Sequence, residues 1–188
     1  MRKTLIASLL AGLTATGALA ADTYSLDARH TFPIFEISHM GFSQQRGRFN
    51  KTEGKVVLDA RAGTGKIDIV IDAASIDMGL DEWDKHMKNA DFFNVERFPT
   101  MTFSADRISF KEGVPVAADG QLTLLGVTRP VQLNIANFRC GIHLMNRKSA
   151  CGAEVTASIR RSEWGMTKYI PVVGDEVRIV IPVEAFKD

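Results

Sequence analysis

Lys66-Ile67-Asp68-Ile69-Val70-Ile71-Asp72 is the stretch that decides the fold. Isoleucine recurs at every second position, and charge fills most of the alternate ones. A period of two puts Ile67, Ile69 and Ile71 on one face of an extended chain and Lys66, Asp68 and Asp72 on the other. The same alternation continues in both directions. Upstream, Thr31, Pro33, Phe35, Ile37 and His39 share a face, with Glu36 and Ser38 opposite. Downstream it recurs in Met101/Phe103, Leu122/Leu124, Val131/Leu133/Ile135, Val155/Ala157/Ile159 and Val177/Ile179/Ile181/Val183. One wet and one apolar face per strand is the signature of an antiparallel sheet.

The fold class is therefore all-β, with about eight strands joined by Gly-, Asp- and Asn-containing turns. Arg46-Gly47-Arg48-Phe49 and Gly54-Lys55-Val56-Val57-Leu58 read as two arms of a hairpin. Eight antiparallel strands avoid bare edges by closing into a barrel, and a barrel of that size can hold one small ligand. A β-sandwich is the competing architecture, and composition does not separate the two. One segment breaks the pattern. Leu80, Trp83 and Met87 follow helical spacing, with Asp81, Glu82 and Asp84 early and Lys85, His86 and Lys88 late, the order that suits a helix dipole. This predicts one short helix between strands, packed on the barrel wall or lying over its mouth.

The N-terminus reads as an export signal. Arg2 and Lys3 precede an uncharged apolar run, Leu5 to Leu13, and Ala18-Leu19-Ala20 supplies an A-x-A site. The run is shorter than the roughly 20 residues a bilayer span needs. Residues 1–20 are thus expected to be a cleaved signal peptide and 21–188 a single barrel domain in the periplasm, without stable membrane insertion. Without Arg2 and Lys3 the chain carries 21 basic and 22 acidic side chains, a balance that argues against nucleic acid as a partner. Cys140 and Cys151 flank a turn-like stretch between two strand-like segments, and both lie in the exported part, where thiols oxidise. A disulfide across that hairpin is the first reading. The spacing is far from the C-x-x-C of redox sites. A metal site on these sulfurs would need further ligands, with His143 nearby.

Several motifs resemble the YceI-like, lipocalin-shaped periplasmic proteins over essentially the whole mature length. They are Tyr24-Ser-Leu-Asp27 with His30; Phe35-Glu-Ile-Ser-His39; Gly47-Arg-Phe49; Ala74-Ser-Ile-Asp77; and Asp84-Lys-His-Met-Lys-Asn-Ala-Asp-Phe-Phe93. The resemblance continues through Phe98-Pro-Thr-Met-Thr-Phe103, Gly120-Gln-Leu-Thr-Leu-Leu-Gly-Val-Thr-Arg-Pro130 and Arg161-Ser-Glu-Trp-Gly-Met166. It implies an extended antiparallel barrel with a long hydrophobic interior that binds polyisoprenoid chains, such as isoprenoid quinones or prenyl pyrophosphates, and it brings with it no established catalytic mechanism. The family often has Arg-Asp ahead of its His-Leu, where this chain has Trp83-Asp84-Lys85-His86-Met87. That change removes a cation near the entrance.

The residues themselves suit a greasy ligand. Eleven Phe stand against two Trp and two Tyr, so most aromatic surface has no polar handle, and six Met beyond Met1 can adapt to a mobile tail. Inward Phe, Ile and Leu would equally fill a dry core, as in an interaction module with no cavity. The candidate lining is Phe35, Ile37, Ile69, Phe103, Leu124, Leu133, Ile159 and Ile179, with Trp83, Met87, Phe92 and Phe93 at the mouth. A one-residue slip would swap these faces.

His39, on the inward face, is either a hydrogen-bonded buried His or a polar contact to a quinone carbonyl or phosphate. Arg161 is a strand end or a headgroup contact. No H-x-H or H-E-x-x-H spacing occurs, so no metal site is expected, and no cofactor motif is present. The functional expectation is a carrier for an isoprenoid lipid. The alternative is an enzyme acting on a small lipid or quinone with His39 as the acid–base group. A homodimer through an edge strand or the mouth is left open.

Overall fold

The computed structural model describes residues 21–188; the predicted signal peptide, residues 1–20, lies outside them. The strands are β1 (Asp22–Leu26), β2 (Ile34–His39), β3 (Ser43–Phe49), β4 (Thr52–Asp59), β5 (Thr64–Asp72), β6 (Ile76–Asp77), β7 (Thr100–Lys111), β8 (Val114–Leu124), β9 (Val127–Ile142), β10 (Ser149–Arg160) and β11 (Val173–Lys187). A 3-10 turn, Ala73–Ser75, joins β5 to β6; helix α1 (Asp81–Met87) follows β6; a second 3-10 turn, Arg161–Trp164, follows β10. The strands β1, β4, β5, β7, β8, β9, β10 and β11 pair in that order, and β1 returns to β11. The result is a closed eight-stranded antiparallel barrel, which excludes the sandwich.

The three remaining strands extend staves of that barrel. β1 and β2 both pair with β11, at Leu26↔Ala185 and Ile34↔Val180, so they are two halves of one broken stave. β3 pairs with β2 and β4 with β1, which makes β3 and β4 the next broken stave. β6 pairs with β3 and continues β5. Eight staves therefore run up and down in sequence order.

The hairpin expected from Arg46–Phe49 and Gly54–Leu58 is not formed. The two segments are collinear, because neighbours on both sides hold the ladder across the break. The Phe49 N–H donates to Pro33 O at 3.0 Å, the Asn50 N–H to Ser75 O at 3.0 Å, and the Asp72 N–H to Lys51 O at 3.1 Å. Gly54 sits here for space and not for reversal. A Cβ at this position would collide with the Asp68 carbonyl and lie 2.8 Å from Ile69 Cδ1.

The first stave breaks at residues 27–33, so the strand expected from Thr31 begins at Ile34. Thr31 is buried, and its hydroxyl donates to Glu184 O and accepts from Glu184 N–H, both at 2.9 Å. A side chain thus replaces the missing ladder rung to β11. Asp27 folds the same break. Its Oδ1 accepts the Arg29 N–H at 3.0 Å, and its Oδ2 meets His30 Nδ1 at 2.8 Å. Burial pushes the Asp27 carboxyl up, but the His30 and Arg29 hydrogen bonds outweigh it and hold the pKa below the ordinary value.

Helix α1 lies at one end of the barrel, following β6. The helix is shorter than its pattern suggested, ending at Met87 with Lys88 as its cap. Its acids lead and its bases trail as expected, and Asp84 Oδ1 accepts the Met78 N–H at 2.6 Å, tying the helix to the end of β6. Beneath it Phe93 packs edge-on against Phe49 with ring centres 5.2 Å apart, and Phe35 closes the cluster at 6.0 and 6.4 Å.

The Cys140–Cys151 disulfide joins directly opposed residues of β9 and β10, as the hairpin reading expected. Cys151 is buried with Tyr24 and Ala185, and Leu26, Leu58 and Phe138 pack against them. This second cluster sits at the end of the barrel away from α1.

Candidate ligand-binding cavity

The inward side chains do not meet in the middle. They leave a cavity of about 520 Å³ reached from the α1 end and bordered by every stave. The filled-core reading is therefore overturned. That volume lies within the roughly 300–1,000 Å³ of ligand pockets.

Each of the thirteen residues singled out from sequence stands on the cavity wall. Phe35, Ile37 and His39 come from β2, Ile69 from β5, Phe103 from β7, Leu124 from β8, Leu133 from β9, Ile159 from β10 and Ile179 from β11. Trp83 and Met87 come from α1, and Phe92 and Phe93 from the segment after it. Register explains why one face serves throughout. Ile69 pairs with Phe103, Phe103 with Leu122, Val155 with Ile135, and Ile179 with both Ala157 and Phe35. Paired residues of adjacent strands point to the same side, so a correct face in one strand fixes its neighbours.

The mouth residues divide into two kinds. Phe92 and Phe93 are buried and form wall, with Phe92 between the His86 ring at 4.8 Å and the Tyr169 ring at 6.2 Å. Trp83 is 42% exposed and lies over the opening. Across from α1 runs the segment 165–172 between the second 3-10 turn and β11. Lys168 Nζ reaches Asp91 Oδ2 at 3.1 Å, so this strap and the α1 region are joined over the entrance.

The polar side chains on the wall are few: Thr31, His39, Gln45, Thr52, His86 and Arg161, with the polar tips of Trp83 and Tyr169. Thr52 Oγ1 is buried without a hydrogen-bond partner among the described residues. Arg161 is the wall's cation and only 3% exposed. Its Nε donates to Gly174 O at 2.8 Å, Nη1 to Met166 O at 3.1 Å and Nη2 to Val173 O at 3.1 Å. All three acceptors lie on the strap or where it enters β11. Burial lowers the Arg161 pKa and the charge of Asp175 opposes that shift. Asp175 itself accepts from the Ser162 N–H at 2.9 Å and the Ser162 hydroxyl at 2.7 Å. Trp164 in the same turn donates Nε1–H to Leu122 O at 3.2 Å. Arg161 thus works as a clamp on the strap, with two guanidinium N–H groups left over.

Sequence reasoning missed part of the wall. Phe49 follows Gly47 by the period of two and could have been read. Phe138 could not, because Leu133 and Ile135 predict odd-numbered inward positions. A bulge at Asn137, with φ of 55° and a register shift between Gly152 and Glu154, turns Phe138 inward. Met166 and Tyr169 lie in the strap, which carries no periodic signal.

Asp27, His30 and Glu184 bring side-chain ligand atoms within 4.8 Å of one another on the outer wall. The Asp27–His30 hydrogen bond and the Arg29 N–H already account for that grouping as a turn staple.

A YceI-like domain family model matches residues 24–185. Protein YceI of Salmonella arizonae is 34% identical over 188 residues, covering 98% of this chain and 97% of that protein. Among solved structures, Burkholderia cenocepacia BcnA aligns with a TM-score of 0.68 at 24% identity over 85% of this chain and 98% of its own. A polyisoprenoid binding domain from Saccharophagus degradans, implicated in plant cell wall breakdown, aligns at 0.62 and 19% identity, covering 88% and 98%. The two structural matches reproduce the barrel. The family model and the full-length relative carry the assignment: the chain belongs to the YceI-like family.

Proposed function

We propose that the protein is a periplasmic carrier or reservoir for an isoprenoid lipid, with residues 1–20 removed on export and 21–188 acting as one ligand-holding barrel. The observation that carries this reading is the cavity: about 520 Å³, walled by aliphatic and aromatic side chains from all eight staves and entered beside α1. The thirteen wall residues named above are its binding residues. A neighbour of the same fold being a polyisoprenoid binding domain supports the choice of tail. Each buried methylene contributes about 0.8 kcal/mol, so ten of them supply roughly 8 kcal/mol before ordering costs are subtracted.

The mouth favours a neutral headgroup, such as a quinone or an alcohol, over a pyrophosphate. Its polar side chains include His39, Gln45 and His86, the buried Arg161 is committed to three backbone carbonyls, Trp83 stands where the family often has Arg, and Lys168 is paired with Asp91. The enzyme alternative needs a base with a partner. His39 lies on the wall, and the histidine–carboxylate pairs within 4 Å among the described residues involve His30 alone. Carriage is the reading the geometry supports best.

Native mass spectrometry of detergent-free protein from its own periplasm tests it. A stoichiometric apolar adduct, lost on organic extraction, is expected. Empty protein that also fails to bind a quinone analogue would remove the proposal, and turnover abolished by His39→Ala with tail binding intact would replace it with the enzyme reading.

A further inference from the structure

The tip of the β9–β10 hairpin, at the end of the barrel away from the mouth, carries chemistry the cavity does not use. Ile142, Leu144 and Met145 project into solvent, the last two at 83% and 88% exposure. Arg139, His143, Arg147 and Lys148 surround them. No carboxylate occurs in the sequence between Asp119 and Glu154, so the hairpin tip itself carries only basic side chains in a nearly neutral protein. One acid lies near: Asp188 binds Lys55 at 2.7 Å and Ser25 at 2.6 Å, and the Lys148 charge also helps to hold its carboxyl below the ordinary value, behind those two hydrogen bonds.

The tip is also held in shape. The His143 N–H donates to Lys148 O and the Arg147 N–H to His143 O, both at 2.8 Å. Asn146 Oδ1 meets His143 Nδ1 and accepts the Lys148 N–H, both at 3.1 Å. The His143 ring stands edge-on to Phe186 at 5.3 Å, and the Cys140–Cys151 disulfide clamps the neck. With backbone and polar groups turned inward on themselves, Leu144 and Met145 are left outward at little further conformational cost.

We infer that this hairpin tip docks the protein on an anionic phospholipid surface. Exposed apolar side chains at an apex, flanked by Arg139, Arg147 and Lys148 with Asp188 as the acid beside Lys148, match an interface where hydrocarbon lies below a negative headgroup layer. An acidic protein would satisfy the cations but would need a pocket for two adjacent apolar side chains. The inference is independent of what the cavity holds. Docking at this end leaves the mouth facing away from the bilayer.

The test is vesicle co-sedimentation of the mature protein, with phosphatidylcholine alone and with roughly one third phosphatidylglycerol. Binding to the anionic vesicles that weakens with salt is expected. Leu144→Ser with Met145→Ser, and separately Arg147→Gln with Lys148→Gln, should each reduce it roughly tenfold or more, while circular dichroism and cavity occupancy stay unchanged. The mouth also exposes Phe42 and Leu80, so Phe42→Ser with Leu80→Ser is the opposing variant. The inference is overturned by absence of sedimentation, by equal binding to neutral vesicles, or by loss of binding in the mouth variant and not the tip variants. Self-association abolished by the tip variants would overturn it too. None of these outcomes depends on a bound isoprenoid.

Discussion

Removing the Arg161 guanidinium should unfasten the strap over the cavity and cost as much stability as truncating a large buried side chain. Arg161 donates to three backbone carbonyls, those of Met166, Val173 and Gly174, at 2.8–3.1 Å. A hydrogen bond from a charged donor contributes about 1.5–3 kcal/mol net. Three such bonds do not sum fully, because the cation also gives up its hydration at this buried site. Arg161→Met strands carbonyls that each cost about 1–3 kcal/mol if they stay buried and unpaired, so roughly 3–5 kcal/mol is the expectation. Arg161→Lys should retain part of it, since one ammonium cannot reach acceptors on both flanks of the strap. Urea unfolding followed by tryptophan fluorescence measures the change, with Trp164 in the same turn as reporter. Hydrogen exchange should then accelerate first in residues 165–173, and a bound tail should leave faster. A loss below about 1 kcal/mol, with exchange in the strap unchanged, would show that the three carbonyls find other donors and that Arg161 is no clamp.

Leu133→Trp should grow into open cavity and not into packed neighbours, so it should abolish tail binding while costing less than the roughly 1–3 kcal/mol usual for overpacking; a bound adduct at wild-type stoichiometry would contradict that. Reducing the Cys140–Cys151 bond, which closes a sequence separation of 11, should lower stability by about 2–3 kcal/mol, read as the shift between urea curves with and without dithiothreitol. His30 gives a pH signature. The hydrogen bond its ring donates to the Asp27 carboxylate raises its pKa above 6.5, so that contribution is complete below about 6.5 and fades as pH rises through the raised value. Asp27, lowered below its ordinary 3.8, contributes above that value and loses its share as pH falls through the lowered one. The stability gap between wild type and His30→Gln should therefore be widest between those limits and narrow on the alkaline side; a gap that ignores pH would refute the pairing.

The cavity wall was readable because it is periodic. A strand such as Lys66–Asp72 shows its face in three isoleucines, and antiparallel pairing carries that choice from stave to stave. The errors fall where one residue interrupts the period. Gly54 looked like a turn, but it is a place where the Asp68 backbone comes too close for a side chain. Asn137 shifts the phase of β9, and no local signal announces the shift. The clamp was hidden for a different reason. Arg161 could be seen as a strand end, but its acceptors lie up to 13 residues on in an aperiodic segment, and only the closed barrel brings them together. The hairpin's cysteines were legible as a pair because both flank one turn, whereas the cationic tip between them depends on which side chains stay uncovered.

The pairing of β1 with β11 joins residues 163 positions apart, as in Tyr24 against Lys187. Loop-closure entropy makes that seam one of the costliest pairings of the barrel to form. Until it does, the chain is a curled sheet with two raw edges and no enclosed volume. The enclosed volume is therefore a property of the closed ring and of no part of it. Deleting β11 would produce an open, adhesive sheet and not a smaller container.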